Sequence, residues 1–214
     1  MKKHRVVKRV NTTETGKSRT NDTYLLLSSI DGVDWHSIFD FNTELLFWDK
    51  RSNKSWTLKL TNPRNEKRVT KMGKYYKEYE IIPGDAVILE CVMDPLTRQK
   101  AYSIDYVDNS KTLTLGVTNG VFELYNNDEI KLLDSLVAKN NLKIYGTNKS
   151  IKFIKKKATK RRNRDIYPVS IKVDGNEENF DTKSTELIQV ELVKVDEIIV
   201  NKVNIIDYYS LEGE

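Results

Sequence analysis

Alternation of period two constrains this chain more than any other feature. In the stretch WTLKLT, Trp56, Leu58 and Leu60 take turns with Thr57, Lys59 and Thr61. Successive strand residues point to opposite faces, so a strand here sets the first three in a core and the others in water. A second apolar run follows at Ile81-Ile82 and Val87-Ile88-Leu89, broken by Pro83-Gly84-Asp85. Proline presets φ and glycine supplies turn conformations, so the chain turns there and re-enters a sheet. The stretch 56–91 thus reads as two strands presenting a loop.

That loop, residues 62–68, is NPRNEKR. Asn62, Arg64, Asn65, Lys67 and Arg68 can donate hydrogen bonds, and Glu66 is its single acid. Arginine forks match guanine edges or phosphates, asparagine pairs with adenine, and lysine offsets phosphate charge, so the loop suits a DNA groove. Charge in an exposed loop is also the ordinary state of a protein surface, and composition by itself favours that plainer reading.

Strand-like patterns recur along the chain. Val6, Val7 and Val10 mark a first strand, Tyr24-Leu25-Leu26-Leu27 a second, and residues 101–107 another. Later Val169, Ile171 and Val173 alternate, Asp174-Gly175-Asn176 supplies a hairpin-type turn, and residues 187–195 and 198–206 continue the pattern. Helical spacing occurs at Trp35, Ile38 and Phe39, and again over 127–140, where Ile130, Leu133, Leu136 and Val137 share a face. Residues 44–48 are apolar but alternate poorly, and the aromatics there are assigned to core and rim rather than to base stacking. The fold class expected is mostly β with minor α.

A chain of 214 residues can bury one sizeable core or two small ones. No apolar run nears the ~18 residues of a membrane span, and the charged N-terminus is unlike a signal peptide, so the expected compartment is the cytoplasm. One cysteine excludes an internal disulfide and a multi-cysteine zinc site; Cys91, at the end of an apolar run, is assigned to the core. His4 and His36 have no metal-ligand spacing. No cofactor and no metal site is expected.

The net charge of +5 conceals segregation. Residues 50–77 carry ten Lys or Arg against Glu66, a net +9, and residues 149–164 carry nine with no acid. Residues 165–214 hold twelve acids and four Lys, a net −8. The two basic regions would attract a polyanion, with binding that falls as salt rises. Residues 149–164 are either a solvated linker or a phosphate contact, and the acidic part that follows is expected to dock a partner or cover a sheet edge rather than lie on DNA.

Two motifs lead nowhere. Gly16-Lys17-Ser18 lacks the glycine a phosphate-binding loop needs five residues earlier, where Asn11 stands, and a strand follows it instead of a helix. Glu191-Leu192-Val193-Lys194 has the wrong spacing for a magnesium nuclease, because on a regular strand Glu191 and Lys194 face opposite sides.

The pattern Tyr79-x-Ile81-x-x-Gly84-Asp85-x-Val87 and the N-terminal stretch 7–22, a strand followed by a Gly-bearing polar loop, resemble the B-three-type pseudobarrel DNA-binding domains of plant transcription factors and of the EcoRII restriction enzyme's effector domain. The resemblance covers residues 5–107. It implies a seven-stranded-type pseudobarrel with short helices, followed by a C-terminal β-rich extension. Two loops would grip the major groove: an N-arm over 16–22 with Lys17, Ser18, Arg19 and Asn21, and a C-arm over 62–68. Target-recognition domains of LlaJI-type, McrB-like restriction subunits are the nearest kind expected.

These readings place a DNA-binding pseudobarrel with a closing helix at 1–145, and a basic linker with an acidic β-rich subdomain at 146–214. The function expected is sequence-specific recognition of double-stranded DNA for a bacterial restriction system, with no catalysis by this chain alone. Arg19, Asn21, Arg64 and Asn65 would read bases; Lys17, Lys67, Arg68 and Lys71 would contact phosphates. The partners would be duplex DNA and a nuclease or motor subunit, with no membrane. The alternatives are a metal-dependent endonuclease and a β-rich RNA- or protein-interaction module.

Overall fold

The computed structural model describes residues 2–16, 23–29, 33–124, 127–161, 164–182, 187–203 and 207–210. Its contacts divide the chain into two compact units: residues 1–107 with 205–214, and residues 108–204. The first contains β1 (Lys2–Arg9), β2 (Tyr24–Leu26), α1 (Trp35–Ile38), β3 (Thr43–Asp49), β4 (Ser55–Thr61), β5 (Arg68–Thr70), α2 (Gly73–Glu78), β6 (Ala86–Met93) and β7 (Lys100–Tyr106). The second contains β8 (Thr112–Thr118), β9 (Val121–Leu124), α3 (Asn127–Val137), β10 (Lys143–Ile144), β11 (Ile151–Lys155), β12 (Thr159–Arg161), β13 (Arg164–Val173), β14 (Asn176–Glu177), β15 (Leu187–Lys194) and β16 (Glu197–Val203). A last strand, β17 (Asp207–Ser210), pairs with β1 and belongs to the first unit.

The protein is mostly β, and strands β1 to β7 form a nearly closed, barrel-like sheet in the order β1-β6-β7-β3-β4-β5-β2. The neighbours pair antiparallel except β3 and β7, which run parallel with Phe47 opposite Tyr102. The alternation seen at Trp56, Leu58 and Leu60 holds: Leu58 and Leu60 are buried and Trp56 half-buried, while Thr57 and Lys59 face water. On β3 the same logic puts Phe47 and Asp49 inside but leaves Leu46 and Trp48 exposed, so Trp48 is not the core or rim aromatic expected.

The interior is filled by Val6, Leu25, Phe47, Leu58, Leu60, Val69, Leu89 and Ile104, with Trp35, Ile38 and Phe39 from the α1 region and Tyr75 and Tyr76 from α2 packed into it. Full burial stabilises by about 1.5–3 kcal/mol for an aliphatic or Phe side chain of this kind. Cys91 is buried in the same core, and burial pushes its thiol up to about 11. The stretch between β4 and β6 departs from the two-strand expectation: it holds the short strand β5 and the helix α2, and Ile81-Ile82 precede β6 without joining it. The turn at Pro83-Gly84-Asp85 is present. Gly84 has φ 111° and donates its amide to Val10 O, while Asp85 accepts from the Ile82 amide at 2.7 Å.

Buried carboxylates fix the turns. Asp49, at the end of β3, accepts from Trp56 Nε1, Ser52 Oγ and the Arg51 amide, each at 2.9 Å, and from Tyr79 Oη. Tyr79 of the resembled motif therefore ties the end of α2 to the β3–β4 hairpin. Burial opposes ionisation of Asp49, yet these donors outweigh it and hold the carboxyl at about 2, below the ordinary 3.8. Glu14 is fully buried and accepts from the amides of Asn11 at 2.8 Å and Leu26 at 2.7 Å, with Lys8 beside it at 3.1 Å.

In the second unit the sheet runs β10-β16-β15-β8-β9-β13-β11, with β12 and β14 also on β13. Its own core holds Leu113, Leu115, Phe122, Phe153, Ile171, Ile188 and Val190, and α3 covers it with Leu132, Leu133 and Leu136. Glu129 of α3 is buried and accepts from the Thr114 amide at 2.6 Å, which pins the helix to β8.

Two expectations are corrected here. The units part at 107/108 instead of 145/146, and α3 packs on β8 and β11 instead of closing the first barrel. The cause is non-local: β8 and β9 find their partners in β15 and β13, more than forty residues on. The stretch 155–164 is also no plain linker, since β12 pairs antiparallel with β13 through Thr159–Ile166, Lys160–Asp165 and Arg161–Arg164. The Asp174-Gly175 hairpin is present, with positive φ at both residues (48° and 85°) and Val173 opposite Asn176. A bulge between Leu192 and Lys194 interrupts the regular strand on which the Glu191/Lys194 argument relied, and Lys194 pairs with Glu197 at 2.9 Å.

Candidate nucleic-acid interface

The expected C-arm is the turn joining β4 to β5. Pro63–Asn65 form a single 3-10 turn, closed by the Glu66 amide donating to Pro63 O at 2.8 Å. Asn62 and Pro63 lead out from Thr61, and Arg68 re-enters the sheet opposite it. Between them Arg64 (φ 49°, ψ 39°) and Asn65 (φ 64°) are both left-handed. Asparagine tolerates that region; for arginine it costs roughly 1–2 kcal/mol. The Arg64 side chain stands on the exposed crest, with no ion pair or side-chain hydrogen bond among the described residues. Asn65 beside it is exposed as well.

The rest of the turn is tied down. Arg68 is half-buried, pairs with Glu66, and lies with its guanidinium 4.6 Å from the centre of the Tyr24 ring. The Lys67 carbonyl accepts from the Leu27 amide at 2.8 Å, which fastens the turn to the residues after β2, while the Lys67 side chain is half-buried. Asn62 is half-buried at the base, and its Oδ1 is enclosed without a hydrogen bond. Arg68, expected on phosphate, is thus engaged in holding the turn to β2.

Lys71 does not join this group. It follows β5 at the opposite end, with φ 67°, and pairs with Glu44 on β3; that pairing depresses the Glu44 carboxyl. The return foot of the N-arm is at this same end, because Thr23 O accepts from the Met72 amide at 3.4 Å and Tyr24 is opposite Thr70, whereas Leu26 is opposite Arg68. A three-residue ladder, about 7 Å long, separates the two ends. Lys17, Ser18, Arg19 and Asn21 lie outside the described residues, so of the ten expected contacts the structure brings together Asn62, Arg64, Asn65, Lys67 and Arg68.

Three-dimensional pairing also cuts the charge that the linear count gave. Of the ten cations in 50–77, Lys50 pairs with Glu90, Arg51 with Asp105, Lys54 with Glu78, Arg68 with Glu66 and Lys71 with Glu44. Four of those five acids lie outside the 50–77 window or on its far helix. Lys59, Arg64, Lys67, Lys74 and Lys77 keep no such partner among the described residues, so the field of the first unit is weaker and more local than +9 implies.

No protein-family model matches the chain, and no curated protein matches it. Among the described residues, no three His, Cys, Asp or Glu side chains are grouped so as to hold a metal ion, and no helix is long and apolar enough to cross a membrane.

Proposed function

We propose that this chain is a sequence-specific binder of double-stranded DNA, in which the β4–β5 turn enters the major groove and the loop 17–22 supplies a second contact. The single observation that carries this reading is Arg64. A charged side chain on a left-handed, solvent-facing crest next to an exposed asparagine makes no ion pair or side-chain hydrogen bond among the described residues. Strain of this kind collects at functional sites. A turn between two strands is narrow enough for a groove about 12 Å wide, and Arg and Asn carry the two bidentate pairings that distinguish guanine and adenine there.

A role as the target-recognition part of a bacterial restriction system, together with a nuclease or motor subunit, follows from the resemblance of residues 5–107 and is proposed on that basis. The test is selection of bound duplexes from a random pool, followed by anisotropy titration of the selected and a scrambled duplex. Arg64→Ala is expected to reduce the preference for the selected site by about 1–3 kcal/mol while changing scrambled-site binding little. Equal loss on both duplexes, or no enriched site at all, overturns base readout.

A further inference from the structure

Residues 149–164 present the opposite case to the 50–77 region. Among the described side chains of this basic stretch, Lys155 alone finds an acid, Asp134, and stands 5.9 Å from the centre of the Tyr167 ring. Lys149, Lys152, Lys156, Lys157 and Lys160 are exposed and have no ion-pair partner among the described residues. They are held in a built element. β11 and β12 lie in succession along one edge of β13, and the Lys156 amide donates to Pro168 O at 2.9 Å between them.

The register concentrates like charge. Lys152 is directly opposite Lys172. Like charges in facing positions work against a sheet. Acids stand on the inner side of this edge: Glu177 is opposite Lys172 from its other side, Asp165 is opposite Lys160, Asp174 accepts from Ser150, and Glu178 lines a cavity with Lys156. An edge-lying basic ribbon with exposed lysines outside ion pairs and a like-charge cross-strand pair, Lys152 and Lys172, suits an anion that occupies it. Its exposed positions are Lys, Thr159 and Ala158, without the exposed Trp, Phe or Leu that anchors a cationic element in a lipid interface. An extended row of lysines suits a polymer of evenly spaced phosphates.

We infer that the β11–β12 edge of the second unit is a contact surface for the phosphate backbone of duplex DNA, independent of sequence. It is carried by different residues from the turn at Arg64, and the choice of duplex DNA among polyphosphates rests on the proposed function. It supplies affinity and salt dependence, because each neutralised phosphate releases counterions.

The experiment uses the full chain and a fluorescein-labelled duplex of random sequence, titrated over a series of salt concentrations. The triple variant K156Q/K157Q/K160Q is expected to bind about tenfold or more weakly at low salt and to flatten the slope of log K against log salt by about 2–3. The charge-retaining K156R/K157R/K160R is expected to keep both. An unchanged slope in the glutamine variant overturns the proposal, as does weak binding by the arginine variant with an unaltered circular-dichroism melt. Equal affinity for anionic phosphatidylserine vesicles, or tighter binding to single-stranded RNA than to duplex, overturns the assignment to duplex DNA. The two proposals fail separately: loss of sequence preference in Arg64→Ala concerns the turn, and loss of salt slope concerns the ribbon.

Discussion

At the residue scale, side chains whose cost or burial is out of the ordinary give the sharpest tests. Arg64→Gly removes a left-handed arginine, so the variant is expected to be more stable by about 1 kcal/mol while losing site preference; a thermal melt and the two-duplex titration read the two effects. A fall in stability with binding retained would show that Arg64 serves the fold. Glu14→Ala removes the buried acceptor of the Asn11 and Leu26 amides, and is expected to cost about 1–3 kcal/mol in urea unfolding. Asp49 sets an acid limit. Its folded pKa lies below its unfolded value, so its contribution is complete above about pH 4 and is lost as pH falls towards 2. The Asp49→Asn variant is expected to show a shallower loss of stability over that window, by about 2 kcal/mol, in denaturant midpoints measured against pH.

At the element scale, legibility followed water. β4 was readable because one face is wet and the other dry, and the Asp174-Gly175 hairpin because Asp-Gly is the pair that meets two consecutive positive φ values at least cost. A Cβ at Gly175 would meet nothing within 4 Å, so Gly175→Ala tests conformation alone and is expected to cost about 1 kcal/mol in thermal unfolding. The β12–β13 ribbon was not readable as a strand pair. Its first strand is Thr159–Arg161, where Thr159 and Lys160 are both exposed, so no alternation marks it. α2 was hidden for a similar reason: with six residues, Gly73–Glu78, it is too short to show a helical period, and its two buried tyrosines are adjacent in sequence.

At the scale of the whole molecule, two separate cores explain why the domain boundary escaped a linear reading. β8 and β9 look no different from the strands before them; what assigns them to the second unit is pairing with β15 and β13. The three tryptophans, Trp35, Trp48 and Trp56, all belong to the first unit, so their fluorescence reports on that core. Leu58→Ala is expected to shift the fluorescence-detected unfolding by about 2–5 kcal/mol, whereas the loss caused by Ile171→Ala falls in a core without tryptophan and is read by far-UV circular dichroism.

The sequence by itself determined the β character, most strand positions, the turns at Pro83-Gly84-Asp85 and Asp174-Gly175, the fate of Cys91 and the polarity of the loop 62–68. Each of these depends on neighbours a few residues away, where alternation, ring constraint and positive φ act. Only the tertiary structure decided which cations stay unpaired, since Glu44, Glu90 and Asp105 reach Lys71, Lys50 and Arg51 from distant strands. It alone separated Lys71 from the turn at Arg64 and divided the chain after Val107. Electrostatic and packing partners are chosen by proximity in space, and in a sheet protein that proximity is set by strand order, which no local pattern encodes.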